Sequence, residues 1–196
     1  MRKSVPFPGS LPGDDALLAR FADGDRQAAL LLTRRLGPLA FGVAVRVLGD
    51  RGEAEDVAQE AMMRLWRMAP DWQPGPARVS TWLYRVTLNL CLDRRRRRGA
   101  TVALDQVPEP ADAARSAPDR MQDRARAEAL QQALMHLPDR QRQAVVLRHI
   151  EELANPEIAG IMEISVEAVE SLTARGKRAL AAVLTARRDE LGYDDD

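Results

Sequence analysis

The stretch that most restricts the fold is Ser80 to Arg98, STWLYRVTLNLCLDRRRRR. Wound at about 100° per residue, it spreads Trp82, Leu83, Tyr84, Val86, Leu88, Leu90, Cys91 and Leu92 around almost its whole circumference. One narrow polar stripe remains: Arg85, Asn89, Asp93 and Arg96, at steps of four, four and three, with Trp82 on its border. A helix that is apolar nearly all round belongs inside a bundle. Two readings of the stripe and the five closing arginines stand side by side. They are a solvated edge with a solubilising end, or a face and a basic end with a use of their own.

The surrounding composition narrows the choice. Of the 196 residues, 45% are apolar, enough for packed cores and against wholesale disorder. No run of some 18 apolar residues occurs, so no membrane insertion is expected. The opening MRKSVPFPGSLPGDD has no apolar segment behind its charges and does not read as a secretory signal, leaving the cytoplasm as the expected compartment. A single cysteine rules out an internal disulfide and a cysteine-based zinc site. His136 and His149 have no ligand pattern near them and read as ordinary helix residues, so neither metal nor cofactor is expected. Paired carboxylates, a nucleophile with its base, and a phosphate loop are all missing, which speaks against an enzyme.

Net charge is zero but unevenly placed. Residues 1–99 hold 17 basic against 11 acidic residues, residues 100–124 hold 3 against 5, and residues 125–196 hold 9 against 13. Within the last part, residues 171–188 carry five basic residues and no acid. Basic charge is thus gathered at Arg94–Arg98 and Arg175–Arg188, where it suits phosphate. The overall balance argues against strong DNA binding by the chain alone.

In order along the chain, residues 1–13, with three prolines and two glycines, read as a disordered tail. A short helix capped by Asp14 or Asp15 is expected through Phe21. A second starts at Asp25, is interrupted or kinked at Gly37-Pro38, and ends at Gly49. A third, about 52–69, packs on Val57, Ala61, Leu65 and Met68 and is acidic at its start and basic at its end, as the helix dipole favours. The loop Pro70–Arg78 follows, with an exposed Trp72. Residues 100–123, rich in Ala, Asp and Pro, read as a linker, which makes 14–99 and 124–188 two helical domains and 189–196 an acidic tail. In the second domain, Arg124–Leu137 is a helix. Pro138 takes the first position of the next, and Asn155 caps a short one with Pro156 first. Ser165 caps a long one.

Residues 155–174 carry the sharpest spacing. Counting Asn155 as first, Ile158, Ala159, Met162, Ile164, Val169 and Leu172 stand at places 4, 5, 8, 10, 15 and 18, the helix-turn-helix pattern. The ninth place, commonly a left-handed glycine, is Glu163. On the second helix Glu167, Glu170, Ser171, Ala174, Arg175 and Arg178 face outward, with Lys177 beside them; the small Ala174 would allow close approach to base edges.

Taken together, four stretches make the chain resemble an RNA polymerase sigma factor of the extracytoplasmic-function class. AEDVAQEAMMRLWR (54–67) resembles the family's core-polymerase-binding helix. STWLYRVTLNLCLDRRRRR (80–98) resembles the helix that reads the promoter −10 element. LPDRQRQAVVLRH (137–149) resembles the start of the family's C-terminal domain, and IAGIMEISVEAVESLTARGKRAL (158–180) its −35-reading helix-turn-helix. The likeness covers about residues 14–187. It implies an all-α fold and an initiation factor, not an enzyme, that binds core RNA polymerase and promoter DNA and is held by an anti-sigma factor, with no small-molecule substrate.

The resemblance puts Asp56, Gln59, Glu60 and Arg64 on the polymerase face. It puts Trp72, Gln73, Arg85, Val86, Asn89, Asp93, Arg94, Arg96 and Arg97 at the −10 element. Glu167, Glu170, Ser171, Ala174, Arg175, Lys177 and Arg178 fall at the −35 element. A flipped base needs an apolar wall and a group that both donates and accepts, which suits Val86 and Asn89. Trp82 reads as a core anchor and Cys91 as a buried helix residue. Glu170 stands where the family often has Arg or Lys, so the −35 sequence is open. A free-standing helix-turn-helix regulator is the alternative. It accounts for residues 155–180 but not for 54–98.

Overall fold

Two aspartates and a glycine frame the first half of the chain. Asp25 accepts from the amides of Gln27 and Ala28 at 2.9 and 3.3 Å, and Asp50 accepts from Glu53 N at 2.8 Å. Both start helices as N-cap side chains do. Gly49, left-handed at φ 75°, ends the helix between them. The computed structural model describes residues 12–73, 75, 78–101 and 118–185. Among them the elements are α1 (Asp14–Ala22), α2 (Arg26–Leu48), α3 (Arg51–Met68), a 3-10 turn (Ala69–Asp71) and α4 (Val79–Thr101). There follow α5 (Pro118–Met135), α6 (Asp139–Val145) running into a π turn (Val146–Ile150), α7 (Asn155–Met162) and α8 (Val166–Thr185). The all-α expectation holds, with no strand among the described residues.

Several boundaries differ from the sequence reading. α2 runs unbroken through Pro38. Leu32 and Leu36 before the proline, and Ala40, Val43, Ala44 and Val47 after it, are all buried. That packing holds the helix across the one backbone bond the proline removes. α5 starts at Pro118, not Arg124, so the last part of the expected linker is helical; residues 102–117 lie outside the described residues, as do the tails at 1–11 and 186–196. Pro138 is the residue before α6 rather than its first, with extended ψ of 144°. Ala154, not Asn155, takes the cap position of α7. One 18-residue window in α2 has a mean hydropathy of 1.4, enough by length and composition to cross a membrane. Its apolar face is instead laid against α1, α3 and α4.

The apolar core does not divide where the two domains were expected to part. One cluster holds Leu17, Leu18, Leu32, Leu36, Leu65 and Leu83, within the first half. The other joins Val43, Val47, Tyr84, Leu88 and Cys91 of the first half to Leu134, Leu137, Val145, Leu147, Ile158 and Val169 of the second. α4 touches both, which is why it is apolar nearly all round. Burial pushes the Cys91 thiol up to about 12 and keeps it protonated.

Arg142 pins the joint. Its side chain is fully buried. It donates to the carbonyls of Leu134 at 2.7 Å, Met135 at 3.0 Å and Leu137 at 2.7 Å, and to Val47 at 2.8 Å. These carbonyls lie at the C-terminal ends of α2 and α5 and in the turn after α5, where intrahelical donors run out and a cation is favoured; Leu134 O also accepts from Leu137 N at 3.1 Å. Burial lowers the guanidinium to about 10, which still leaves it charged at neutral pH. A Cβ on Gly49 would lie 2.5 Å from Met135 Sδ, so this glycine serves both the left-handed turn and the approach of α5.

Arg142→Ala should therefore destabilise the chain by about 3–5 kcal/mol, since it takes a donor from four carbonyls and leaves a hole. Arg142→Lys should recover only part, because an ammonium cannot serve the same fork of acceptors. Urea unfolding measures both; a loss below about 1 kcal/mol in the alanine variant would mean that water replaces the guanidinium.

Candidate nucleic-acid interface

Along α4 the buried side chains are Val79, Leu83, Tyr84, Thr87, Leu88 and Cys91. Trp82, Val86 and Leu90 are partly buried against the first-half core, in keeping with Trp82 as an anchor. The stripe between them is not uniform. Asn89, Asp93 and Arg96 lie exposed, whereas Arg85, at 39% exposure, is met by Glu163 Oε1 at 3.3 Å.

The arginine run is engaged by carboxylates rather than left free. Arg94 donates to Asp56 Oδ2 at 3.2 Å. Arg95 is 2.8 Å from Asp139, Arg96 is 3.8 Å from Asp93, and Arg98 reaches Asp50 and Glu53 at 3.4 and 3.3 Å. Arg97 is exposed. Exposed pairs of this kind are worth about 0–1 kcal/mol each and exchange easily for another anion.

Trp72 departs from the expectation of an exposed ring. Its indole N–H donates to Asp15 Oδ1 at 2.9 Å, and the ring packs partly buried against the first-half core. No local signal could reveal this, because Asp15 lies 57 residues away. Gln73 beside it is exposed.

On α3, Val57 and Ala61 are buried while Asp56 and Gln59 face solvent, Asp56 at 65% exposure. Glu60 accepts from Arg64 Nε at 2.8 Å, with Arg67 at 3.8 Å. The Arg64 bond is the largest cause holding its carboxyl below the usual range. Glu60, Arg64, Val57, Leu90, Asp93, Arg94 and Arg97 line one cleft of about 240 Å³ between α3 and α4. Glu60 and Arg64 of the residues expected at polymerase thus share one cleft with Asp93, Arg94 and Arg97 of those expected at the −10 element.

The second half brings its predicted residues to one exposed face. Ile158, Ala159, Met162 and Val169 are buried at the crossing of α7 and α8. Ser165 Oγ accepts from Ala168 N at 3.2 Å, as its expected role at the start of α8 requires. Glu167, Glu170, Ser171, Ala174, Arg175, Lys177 and Arg178 are all exposed. Arg175 folds back onto Ser171, to its carbonyl at 3.3 Å and its hydroxyl at 2.8 Å. Asn155, freed from capping, donates to Glu170 Oε1 at 3.4 Å and so steadies the carboxylate at the unusual position. Glu163 has φ 55° and ψ 49°, the left-handed turn that the spacing called for.

Comparison with known proteins gives a consistent picture. Residues 32–101 match the family described as Sigma-70 region 2, and residues 127–180 match Sigma-70, region 4. The ECF RNA polymerase sigma factor SigM of Mycobacterium tuberculosis is 35% identical over 184 residues, covering 92% of this chain and 90% of the relative. SigW of Bacillus subtilis is 32% identical over 150 residues, 71% of this chain and 80% of the relative. SigE of Mycolicibacterium smegmatis is 35% identical over 163 residues, 81% of this chain, which spans 62% of the relative's length. Among solved structures, CnrH in complex with the cytosolic domain of CnrY has a TM-score of 0.65 at 28% identity, covering 88% of this chain and 97% of that one.

The turn of the second half makes a direct prediction. A non-glycine residue in the left-handed region is strained, and its ion pair with Arg85 is solvent-exposed. Glu163→Gly should therefore stabilise the chain by about 0.5–1 kcal/mol despite losing that pair. Thermal unfolding measures it, and a lowered Tm would show that the turn is not strained.

Proposed function

The chain belongs to the extracytoplasmic-function class of sigma factors, and from that premise we propose that it joins core RNA polymerase through α3 and directs it to a −10/−35 promoter. The exposed part of the α4 stripe takes an unpaired −10 base, with Asn89 as its donor and acceptor and Val86 as apolar wall. The arginines after it exchange their carboxylate partners for backbone phosphate. The exposed face of α8 reads the −35 duplex. The factor has no catalytic site of its own and works where polymerase does, inside the cell. CnrH is held by the cytosolic domain of CnrY, and we extend the same kind of control, by an anti-sigma partner, to this chain.

The observation that supports this reading most is the shared cleft of α3 and α4. It sets Glu60 and Arg64 beside Asp93, Arg94 and Arg97, so that docking on polymerase places the melting helix at the same moment. A free-standing regulator leaves this surface without a use. A shift assay separates the two: the regulator retards promoter duplex unaided, whereas the sigma factor requires core polymerase.

Charge reversal at Asp56 or Glu60 should weaken binding to core polymerase while costing no more than about 1–2 kcal/mol of stability, since each also loses its ion pair with an arginine. Fluorescence titration with core polymerase measures it; unchanged affinity in both reversals would remove α3 from that interface.

The two DNA-reading sites should fail differently. Asn89→Ala should leave initial duplex engagement intact and impair melting, with a loss of about 1–3 kcal/mol in base discrimination. Arg175→Ala should weaken the closed complex and reduce the salt slope by about one unit if it reaches phosphate. Permanganate footprinting of the −10 region beside filter binding over a salt series reads both. Normal melting by the first variant, or unchanged closed-complex binding by the second, would overturn the assignment of that helix.

A further inference from the structure

Glu170 stands on the exposed face of α8, where a basic residue would suit the phosphates of a duplex better, and the fold holds its side chain in place. Asn155, the first residue of α7, donates from Nδ2 to Glu170 Oε1 at 3.4 Å across 15 residues of sequence. Among the described residues this is the only bond to that carboxylate. Val166, Glu167, Thr173 and Ala174 occupy the places one turn away on α8, so no cation neutralises it along the helix. Arg175 is turned back onto Ser171. A carboxylate only accepts, so the Asn155 amide must present its N–H to it. That orientation leaves Asn155 Oδ1 covered by the fold and without a donor among the described residues. A covered carbonyl without a donor is unfavourable. Nor does Asn155 cap α7, since Ala154 holds that position. Stability alone therefore gives no reason for the asparagine.

We propose that Asn155 and Glu170 form a preset reader of one cytosine in the −35 duplex: Asn155 holds one carboxylate oxygen of Glu170, and the other accepts from the cytosine N4 amino group in the major groove. The proposal deepens the sigma reading and rests on α8 being the −35-reading helix. Only cytosine N4 and adenine N6 offer amino donors in the major groove. Adenine sets the N7 lone pair beside its amino group, where it repels a carboxylate oxygen but suits an amide. Cytosine carries no such acceptor on its own edge and is the base a carboxylate selects. The same charge is repelled by phosphate, so the glutamate gives selectivity at a cost in affinity. Asn155 is the positioning residue. It removes rotamer freedom from Glu170 before DNA arrives, which leaves less ordering to be done on binding.

The test is selection from a duplex promoter library, randomised over the −35 element, by core polymerase carrying the full chain. The wild type should favour cytosine at one position by about tenfold over the other bases. Glu170→Gln should lose that preference and favour adenine there, since an amide matches its adjacent donor and acceptor. Asn155→Ala leaves the α7 cap intact and should lower the cytosine preference by about threefold, at that position alone. A merely structural asparagine would weaken binding to all sequences alike and leave the preference untouched. Three results would each overturn the proposal. They are a wild-type motif without a preferred cytosine, a Glu170→Gln variant that binds every sequence more tightly with its preferences unchanged, and an unaltered cytosine preference in Asn155→Ala. The second of these is what plain repulsion of phosphate predicts. The sigma reading stands or falls separately: it fails if the wild-type chain gives core polymerase no promoter-dependent transcription, whereas transcription from promoters whose −35 element lacks the cytosine sinks this proposal alone.

Discussion

A buried guanidinium governs this structure. Removing Arg142 from water costs several kcal/mol before its partners are counted. The cost is offset because its bonds go to carbonyls at and just beyond helix ends, where intrahelical donors run out. Three belong to the α5–α6 turn and one to the end of α2. The same group therefore closes the turn within the second half and fastens that half to the first. Gly49 and Met135 sit at the same spot, so the approach of the halves is fixed by a cation, a left-handed glycine and a flexible thioether together.

From that joint the character of α4 follows. One side of the helix belongs to the first-half core and the opposite side to the core shared between the halves. Apart from the buried Thr87, polar residues survive only where neither core covers the surface. This explains a stripe one residue wide, and why it ends where the helix leaves both cores and becomes arginine-rich. The arginines find carboxylates on α3 and α6. Because these pairs are exposed and weak, they hold the side chains in place without making them unavailable to phosphate.

Much of this was legible locally. The near-complete apolar ring of residues 80–98, the helix start at Asp25, the cap at Ser165 and the turn at Glu163 all rest on short-range rules of helix period and turn geometry. The misreadings came from partners distant in sequence. Pro38 signals a break, but packing on both sides overrides it. Trp72 carries no sign that Asp15 waits for its indole. Arg142 lies in the polar run DRQRQ and shows no local sign of burial until Val47, 95 residues away, is brought to it. Glu151, Glu157 and Glu163 carry no local sign of their partners, and only the folding of one half onto the other gives them donors.

Glu163 joins the two lines of argument. Its left-handed backbone costs roughly 1–2 kcal/mol that a glycine would not incur. Its exposed pair with Arg85 returns about 0.2–1 kcal/mol. The contact therefore does not repay the strain, and stability alone gives no reason for a side chain at this turn. The strain is present whether the halves are together or apart, whereas the pair exists only when they are together. A glutamate there makes the chain slightly less stable overall, while its pair with Arg85 adds a little to the hold between the halves.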